Sequence, residues 1–362
     1  MIDKYQKLSV FHFSSEIKKR HGKKHLKCII FGNFGAMNLG DEAILAGQIQ
    51  ELHKIPNLTI TVVGRYPKEV QRIHKVTALS LYSLYKVRRE VKKSDFVIVG
   101  GGGIINKVER SLIGFFYQIY MLGVFFLLPR MYKKKIYVLG IGIYSNANRI
   151  IVNMVLPFLR AATLLTVRDF HSQTFLKKKN VHAALYQDNS FLMDLATKQD
   201  ILKDAYFQKH YRPERMNIGI SLVKPDAKKD EKRLSKEILS FIGEYYQKAD
   251  FWFYATDYNP EYFNDAKVGK QLYDELKKQY TSEIVFHLVP MTLSPQRYFA
   301  SFKLMQFVIA MRFHAAVFAY RNDVPFAGIS YDKKCTSFIE SVGKTALQLK
   351  TLTWEQINKN VL

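Results

Sequence analysis

The residues best suited to chemistry lie in one stretch near the carboxyl end, "MRFHAAVFAYRNDVPFAGISYDKK" (311–334). An apolar run over 307–311 stops at Arg312 and His314, and a second over 324–331 stops at Tyr331, Asp332, Lys333 and Lys334. If these runs are adjacent parallel strands, their tips gather a guanidinium, an imidazole and ammonium groups. A guanidinium forks onto carboxylate and an ammonium meets phosphate as a point charge, so the set suits a small doubly charged anion. An imidazole among them can give or take a proton near neutral pH. A lone histidine at a helix start is more often structural; the flanking cations turn the preference here.

A second stretch, "FGNFGAMNLGDEAIL" (31–45), has the glycine-rich turn of a phosphate loop, yet Asp41 and Glu42 stand where the anion would sit. Asp41 reads either as the N-cap of the next helix or as a base for a hydroxyl proton. Glu42 in the first turn favours the helix dipole, and Asn33 and Asn38 add amides able to bind hydroxyls. Two more glycine loops follow apolar runs: Gly100 to Asn106, which includes Gly102 and Gly103, and Gly140 to Asn146. "GGGGIINK" lacks the G-K-[ST] ending of a P-loop, and "GIGIYSN" lacks the third glycine of the dinucleotide fingerprint.

Elements that could position these loops alternate along the chain. Apolar runs at 26–33, 58–65, 94–103, 134–144, 164–169 and 182–190 are separated by segments with helical spacing. A polar, irregular stretch over 196–215 reads as a linker, and the alternation resumes at 217–223, 250–257, 283–289, 307–311 and 324–331. Continuous apolar strands between helices predict parallel sheets covered on both faces. The expected fold is α/β: two Rossmann-like domains, 1–200 and 215–362, facing across a cleft, with ligands at the carboxyl ends of the strands.

Composition bounds the rest. The chain has 362 residues, 48% of them hydrophobic, enough for two cores. Its two cysteines, Cys28 and Cys335, form no disulfide framework or metal knuckle, which fits a reducing compartment. The first 27 residues lack the apolar core of a signal peptide. "SLIGFFYQIYMLGVFFLLP" (111–129) is near the length of a membrane span, but with Gln118 and two glycines it reads as a crossover helix. A formal charge of +24 attracts anions of any kind. No nucleic-acid-binding motif accompanies it, so nucleic acid is not the expected partner. Basic clusters interleaved with Phe115, Phe116 and Tyr120 suit peripheral contact with an anionic membrane, against the plainer reading of a solvated surface.

Taken together, the motifs resemble the polysaccharide pyruvyl transferase family. They are "GNFGAMNLGDEAIL", "VIVGGGGII", "VRDFHS" (167–172), "DNSFLM" (188–193), "GISL" (219–222) and the block 310–343. The resemblance implies a GT-B-like pair of domains. It also implies transfer of a pyruvyl group from phosphoenolpyruvate to a saccharide, commonly as a ketal, in cell-surface polysaccharide synthesis, with no metal or redox cofactor. By the same matching, His314 is the functional histidine, Arg312 and Lys334 are the cations that clamp the donor beside Tyr331, and Arg168 and Ser172 fill R-[DE]-x-x-S. Lys333 occupies a proline position of Y-D-P-K, and Phe313 the leucine of R-L-H. Two departures stand out: "GIGIYSN" for G-Q-G-I-G-P, and Val223 where arginine is common, followed by Lys224.

The chemistry implied has His314 protonating the donor's methylene or its leaving phosphate. The 31–42 loop then receives the hydroxyl-rich acceptor, where Asn33, Asn38, Asp41 and Glu42 bind or deprotonate its hydroxyls, with Asp41 and Glu42 as the catalytic carboxylates. The implied setting is cytoplasmic, at the inner face of the cell membrane where the acceptor is lipid-linked. Two other readings fit the same scaffold: a sugar-nucleotide glycosyltransferase, and a glycan-binding protein that has lost catalysis.

Overall fold

The computed structural model describes residues 8–361, apart from 23, 106–111, 145, 260–263 and 281–283. The chain divides into two compact units at Asp194/Leu195. Each is a parallel sheet with helices on both faces.

In the first unit the strands are β1 (Leu26–Phe31), β2 (Leu58–Gly64), β3 (Thr77–Ser80), β4 (Phe96–Ile105), β5 (Lys135–Ile143), β6 (Leu164–Val167) and β7 (Ala184–Leu185). They lie in the order β3-β2-β1-β4-β5-β6-β7. Helices α1 (Ser14–His21), α2 (Leu39–His53) and α3 (Pro67–His74) cover one face, where Phe13, Ile17, Leu45 and Val70 share a core with Ile30 and Ile98. The other face is covered by α4 (Leu84–Lys93), α5 (Leu112–Leu122), α6 (Leu128–Met131), α7 (Arg149–Arg160) and α8 (Phe170–Lys177). Val87, Phe125, Val155 and Leu176 on this side meet Ile29, Val97 and Val138. The central strands read as unbroken apolar runs because both of their faces are buried.

The apolar stretch at 111–129 is the crossover between β4 and its neighbour β5, as its composition predicts. A π-turn, Gly123–Leu127, joins α5 to α6 in one helix. There Phe125 stacks on Phe31, with ring centroids 5.2 Å apart, and Phe126 packs on Phe158 at 5.8 Å.

The second unit opens with α9 (Lys198–Leu202) and α10 (Ala205–His210) in the segment whose polarity predicts a linker. Phe207 of α10 is buried and stacks on Trp252 at 5.8 Å. Tyr206 packs on the same Trp252, and two anchoring aromatics dock a helix that is otherwise polar, so the polarity of 196–215 does not mark an unstructured connection. Then follow β8 (Met216–Ser221), α11 (Lys228–Tyr245), β9 (Ala249–Phe253), α12 (Asp265–Tyr280), β10 (Phe286–Leu288), α13 (Pro295–Ala300), β11 (Phe307–Ala310), α14 (Phe313–Arg321), β12 (Phe326–Ser330), α15 (Lys333–Ser341), β13 (Leu347–Gln348) and α16 (Trp354–Asn358). The sheet order is β10-β9-β8-β11-β12-β13.

Chain order reverses between β1 and β4 in the first sheet and between β8 and β11 in the second. Loops diverge at such points and leave a crevice at the strands' carboxyl ends, where open α/β sheets bind ligands. The residues singled out by their chemistry follow β1, β6, β11 and β12 or lie in the carboxyl end of β4.

Candidate functional site

In the second unit β11 and β12 are paired in parallel, so the tips carrying Arg312 and Lys334 are neighbours, as their spacing predicts. Arg312 is the N-cap residue of α14 and His314 lies in its first turn, largely buried. The His314 ring meets Phe313 edge-on, with centroids 5.1 Å apart. Lys334 lays its ammonium over the Phe313 ring, 4.4 Å from the centroid. Lys333, one residue earlier, is exposed, so Lys334 is the lysine turned towards the Arg312–His314 turn. Asp332 caps α15 through the Cys335 amide, which fixes where this pair of lysines starts. Tyr331 follows β12 and is exposed, and its electrostatic influence reaches Arg312.

The fork of Arg312 is made inside the protein. Its Nε and Nη2 donate to Asp265 at 2.9 and 2.6 Å. Asp265, at the start of α12, is buried and also accepts from the amides of Thr256 and Asp257. Burial works against the guanidinium charge, but Asp265, with Tyr331 and Asp257 adding, pushes its pKa up. Arg312 is therefore permanently charged and its plane is fixed, with one edge committed to a carboxylate that the sequence reading missed. Asp265 lies 47 residues from Arg312 in a segment without a motif, so only the fold reveals the pair. Cys335 is buried beneath this tip, and burial pushes its thiol well above the usual range, which leaves it no role as a nucleophile.

At Val223 and Lys224 the cation is not replaced. Val223 is buried with its amide against Met311 Sδ at 3.5 Å, while Lys224 is exposed and pairs with Glu231 at 3.3 Å.

In the first unit the cap of α2 is Asn38, which accepts from the amides of Gly40 and Asp41 at 3.0 and 3.2 Å. Asp41 is thereby released from the capping role. Its Oδ2 accepts from the exposed Asn33 amide at 2.9 Å, and its Oδ1 lies 2.6 Å from where a Cβ on Gly102 would stand. Gly102 has φ +76°, and Gly101, at φ +87°, has no room for a Cβ against Ile44. Only glycine serves at these two positions. The strand runs on through them to Ile105, with its register shifting after Gly102, so the four glycines do not end β4 as the pattern predicts. Gly103 packs beneath the Tyr144 ring. Asn106 and Ser145, in the two later glycine loops, lie outside the described residues.

Glu42 turns inward. One oxygen accepts from the Gly35 amide at 2.7 Å, the other meets His74 Nε2 at 2.7 Å, and both side chains are buried. This pair ties the glycine loop to α3, so of the two adjacent carboxylates only Asp41 lies at the loop's accessible side. Arg168 and Ser172 are also fully buried. Arg168 donates to Asp188 at 2.6 Å; burial opposes its charge, and Asp188, then Asp169 and Tyr144, raise its pKa. The Ser172 hydroxyl accepts from the Ile143 amide and donates to Asp169. Both hold the ends of β5 and β6 in place and present nothing to the surface of the unit. Among the described residues no group of three or more His, Cys, Asp or Glu side chains is arranged to hold a metal ion.

Compared with known families, residues 38–333 match the profile of polysaccharide pyruvyl transferases. The chain belongs to the polysaccharide pyruvyl transferase family. The matched span opens on Asn38, the cap of α2, and closes on Lys333 at the start of α15. It thus takes in the Asp41 and Arg312 tips of this pyruvyl transferase family member. A search of curated proteins found no match.

Solved structures similar to this pyruvyl transferase family member share its fold at low identity. A putative UDP-N-acetylglucosamine 2-epimerase from Listeria monocytogenes is 9% identical with a TM-score of 0.60, covering 93% of this chain and 87% of its own. The UDP-GlcNAc 2-epimerase of Methanocaldococcus jannaschii, in complex with UDP-GlcNAc and UDP, is 13% identical with a TM-score of 0.59, covering 92% and 91%. The E. coli ADP-heptose lps heptosyltransferase II is 11% identical with a TM-score of 0.51, covering 93% and 98%. The fold is GT-B-like.

The Phe313–Lys334 contact bears on the family's R-L-H pattern. A leucine offers an ammonium no π face, and a cation on an aromatic ring gains about 0.5–1 kcal/mol at a partly exposed site. Phe313→Leu is expected to weaken the binding of a phosphate-bearing anion at this tip about threefold. Calorimetric titration with phosphoenolpyruvate checks this; an unchanged Kd means the ring does not set the lysine.

Proposed function

We propose that this chain transfers a pyruvyl group from phosphoenolpyruvate to two hydroxyls of a saccharide, forming a ketal, in the building of a cell-surface polysaccharide. The observation that carries the reading is the pairing of Lys334 and the oriented Arg312 on the adjacent tips of β11 and β12, with His314 between them in sequence. These two positive charges match the carboxylate and phosphate of the donor. Because one edge of Arg312 is held by Asp265, the stronger pull on the donor's mobile charge falls to Lys334.

His314 gives a proton to the methylene carbon, which becomes the methyl group and leaves cationic character at C2. A saccharide hydroxyl adds there and loses its proton to a base. The C2–O bond to phosphate then breaks, the phosphate takes up a proton, and the second hydroxyl closes the ketal. The two hydroxyl protons are thereby balanced by one on the methyl group and one on the phosphate. Asn33 and Asn38 lie next to Asp41 on the loop that receives the acceptor, and Tyr331 borders the donor. The reaction needs no metal or redox cofactor. We place it in the cytoplasm, on an acceptor carried by a lipid.

Incubation with phosphoenolpyruvate and candidate glycans, followed by mass spectrometry, tests this. The expected result is a glycan heavier by a pyruvyl ketal, with one phosphate released per group added. Thermal stabilisation by UDP- or GDP-sugars but not by phosphoenolpyruvate would replace this reading with glycosyl transfer.

A further inference from the structure

We propose that the outer face of α4, α5–α6 and α7 is a docking surface for an anionic lipid bilayer, with the α5–α6 helix lying in the plane of the interface. The inference is independent of the transfer reaction.

Leu112–Met131 is long and apolar enough to cross a membrane. It cannot do so in this fold, because Leu122, Val124, Phe125 and Phe126 are buried in the core beneath it. The opposite side is nevertheless apolar. Leu112, Ile113, Phe116, Leu127 and Met131 are each at least half exposed, Ile113 to 84%. Residues 112 and 116 share one side of α5, and 127 and 131 share one side beyond the π-turn, since a spacing of four returns nearly to the same side of a helix. Single exposed apolar side chains need no explanation, but a run of this size on one helix does.

The neighbouring helices extend the face. α4, α5–α6 and α7 all bury residues in the same core layer, so their exposed sides look the same way. α4 adds Tyr85, 75% exposed, and α7 adds Ile150 and Met154, one turn apart. Tyr120 of α5 donates to the Leu81 carbonyl at 2.7 Å, which fixes the start of α4 against the apolar helix.

What covers this face is decided by its charge. The exposed side of α4 carries Lys86, Arg89, Lys92 and Lys93, and the end of α6 carries Arg130. Exposed Arg149 opens α7. The only carboxylate on these helices is Glu90, in a chain with a formal charge of +24. A second copy would bring the same positive rim against itself and be repelled. An apolar stripe bordered by cations is instead the pattern of a helix that sinks its apolar side to the acyl boundary and pairs its rim with anionic headgroups.

The test is co-sedimentation of the purified chain, without substrate, with vesicles of equal parts phosphatidylglycerol and phosphatidylcholine or of phosphatidylcholine alone. Binding to the mixed vesicles and its loss at high salt are expected. A Leu112→Ser, Ile113→Ser, Phe116→Ser variant should bind at least tenfold more weakly, with unchanged thermal unfolding because the replaced side chains are exposed. Phe116→Trp should show a blue-shifted emission, above that of the native tryptophans, on adding the mixed vesicles only. No binding by the wild type, equal binding by the triple variant, or a dimer in sedimentation equilibrium that the triple variant dissolves would each overturn the proposal.

Discussion

Replacing His314 by alanine is expected to lower acceptor-dependent phosphate release from phosphoenolpyruvate by a hundredfold or more. A positioned general acid contributes about 10²–10⁴ to rate. On the proposed mechanism the imidazole is the group on the β11 and β12 tips suited to give the methylene carbon its proton near neutral pH. The loss should appear in kcat, with the donor's apparent KM changed much less, because the imidazole acts on the reacting carbon and does not hold the anion. His314 is also largely buried, so the variant's unfolding transition must be recorded beside its kinetics. A folded variant with wild-type kcat would remove His314 from the reaction.

The second large effect is expected at Asp265, and it is one of stability before activity. Asp265→Asn leaves the shape but removes the charge that faces the buried Arg312, and the new amide can donate where the Thr256 and Asp257 amides need an acceptor. Breaking a buried ion pair from one side costs about 3–5 kcal/mol. For a unit of this size the melting temperature should fall by roughly 10 °C. Pairing the change with Arg312→Leu should restore part of the loss, since no unpaired buried cation remains, while transfer stays absent. A melting temperature within about 2 °C of wild type in Asp265→Asn, well inside the shift expected for that loss, would show that the pair is not holding the tip.

Much of the scaffold was legible because its central strands are buried on both faces. "FVIV" before the glycines and "FVIA" before Arg312 read as strands on composition alone. Two of the four edge strands were not: Thr77–Ser80 and Leu347–Gln348 are short and half covered, so they have no apolar run to betray them. The adjacency of Arg312 and Lys334 followed from one βα step between neighbouring strands. Their partners did not follow from any spacing. Asp265 reaches Arg312 from another helix, and the Phe313 ring beneath Lys334 becomes a platform only once α14 and α15 are packed. Glu42 shows the opposite limit. As the neighbour of Asp41 it shared the same sequence reading, but adjacent helical residues point about 100° apart, and this one turns to His74 in the interior.

The widened turn at Gly123–Leu127 separates two demands on one helix. Such a bulge absorbs a single surplus residue locally and keeps the later turns in phase with the earlier ones. The helical phase between Phe116 and Met131 therefore owes nothing to the surplus residue, and shortening the turn by one codon would preserve it. The inward side is where the loss would be felt: the bulge gives two consecutive phenylalanines, Phe125 and Phe126, separate seats against Phe31 and Phe158. Its length is thus answerable to the interior alone, and the surface above it is free to change.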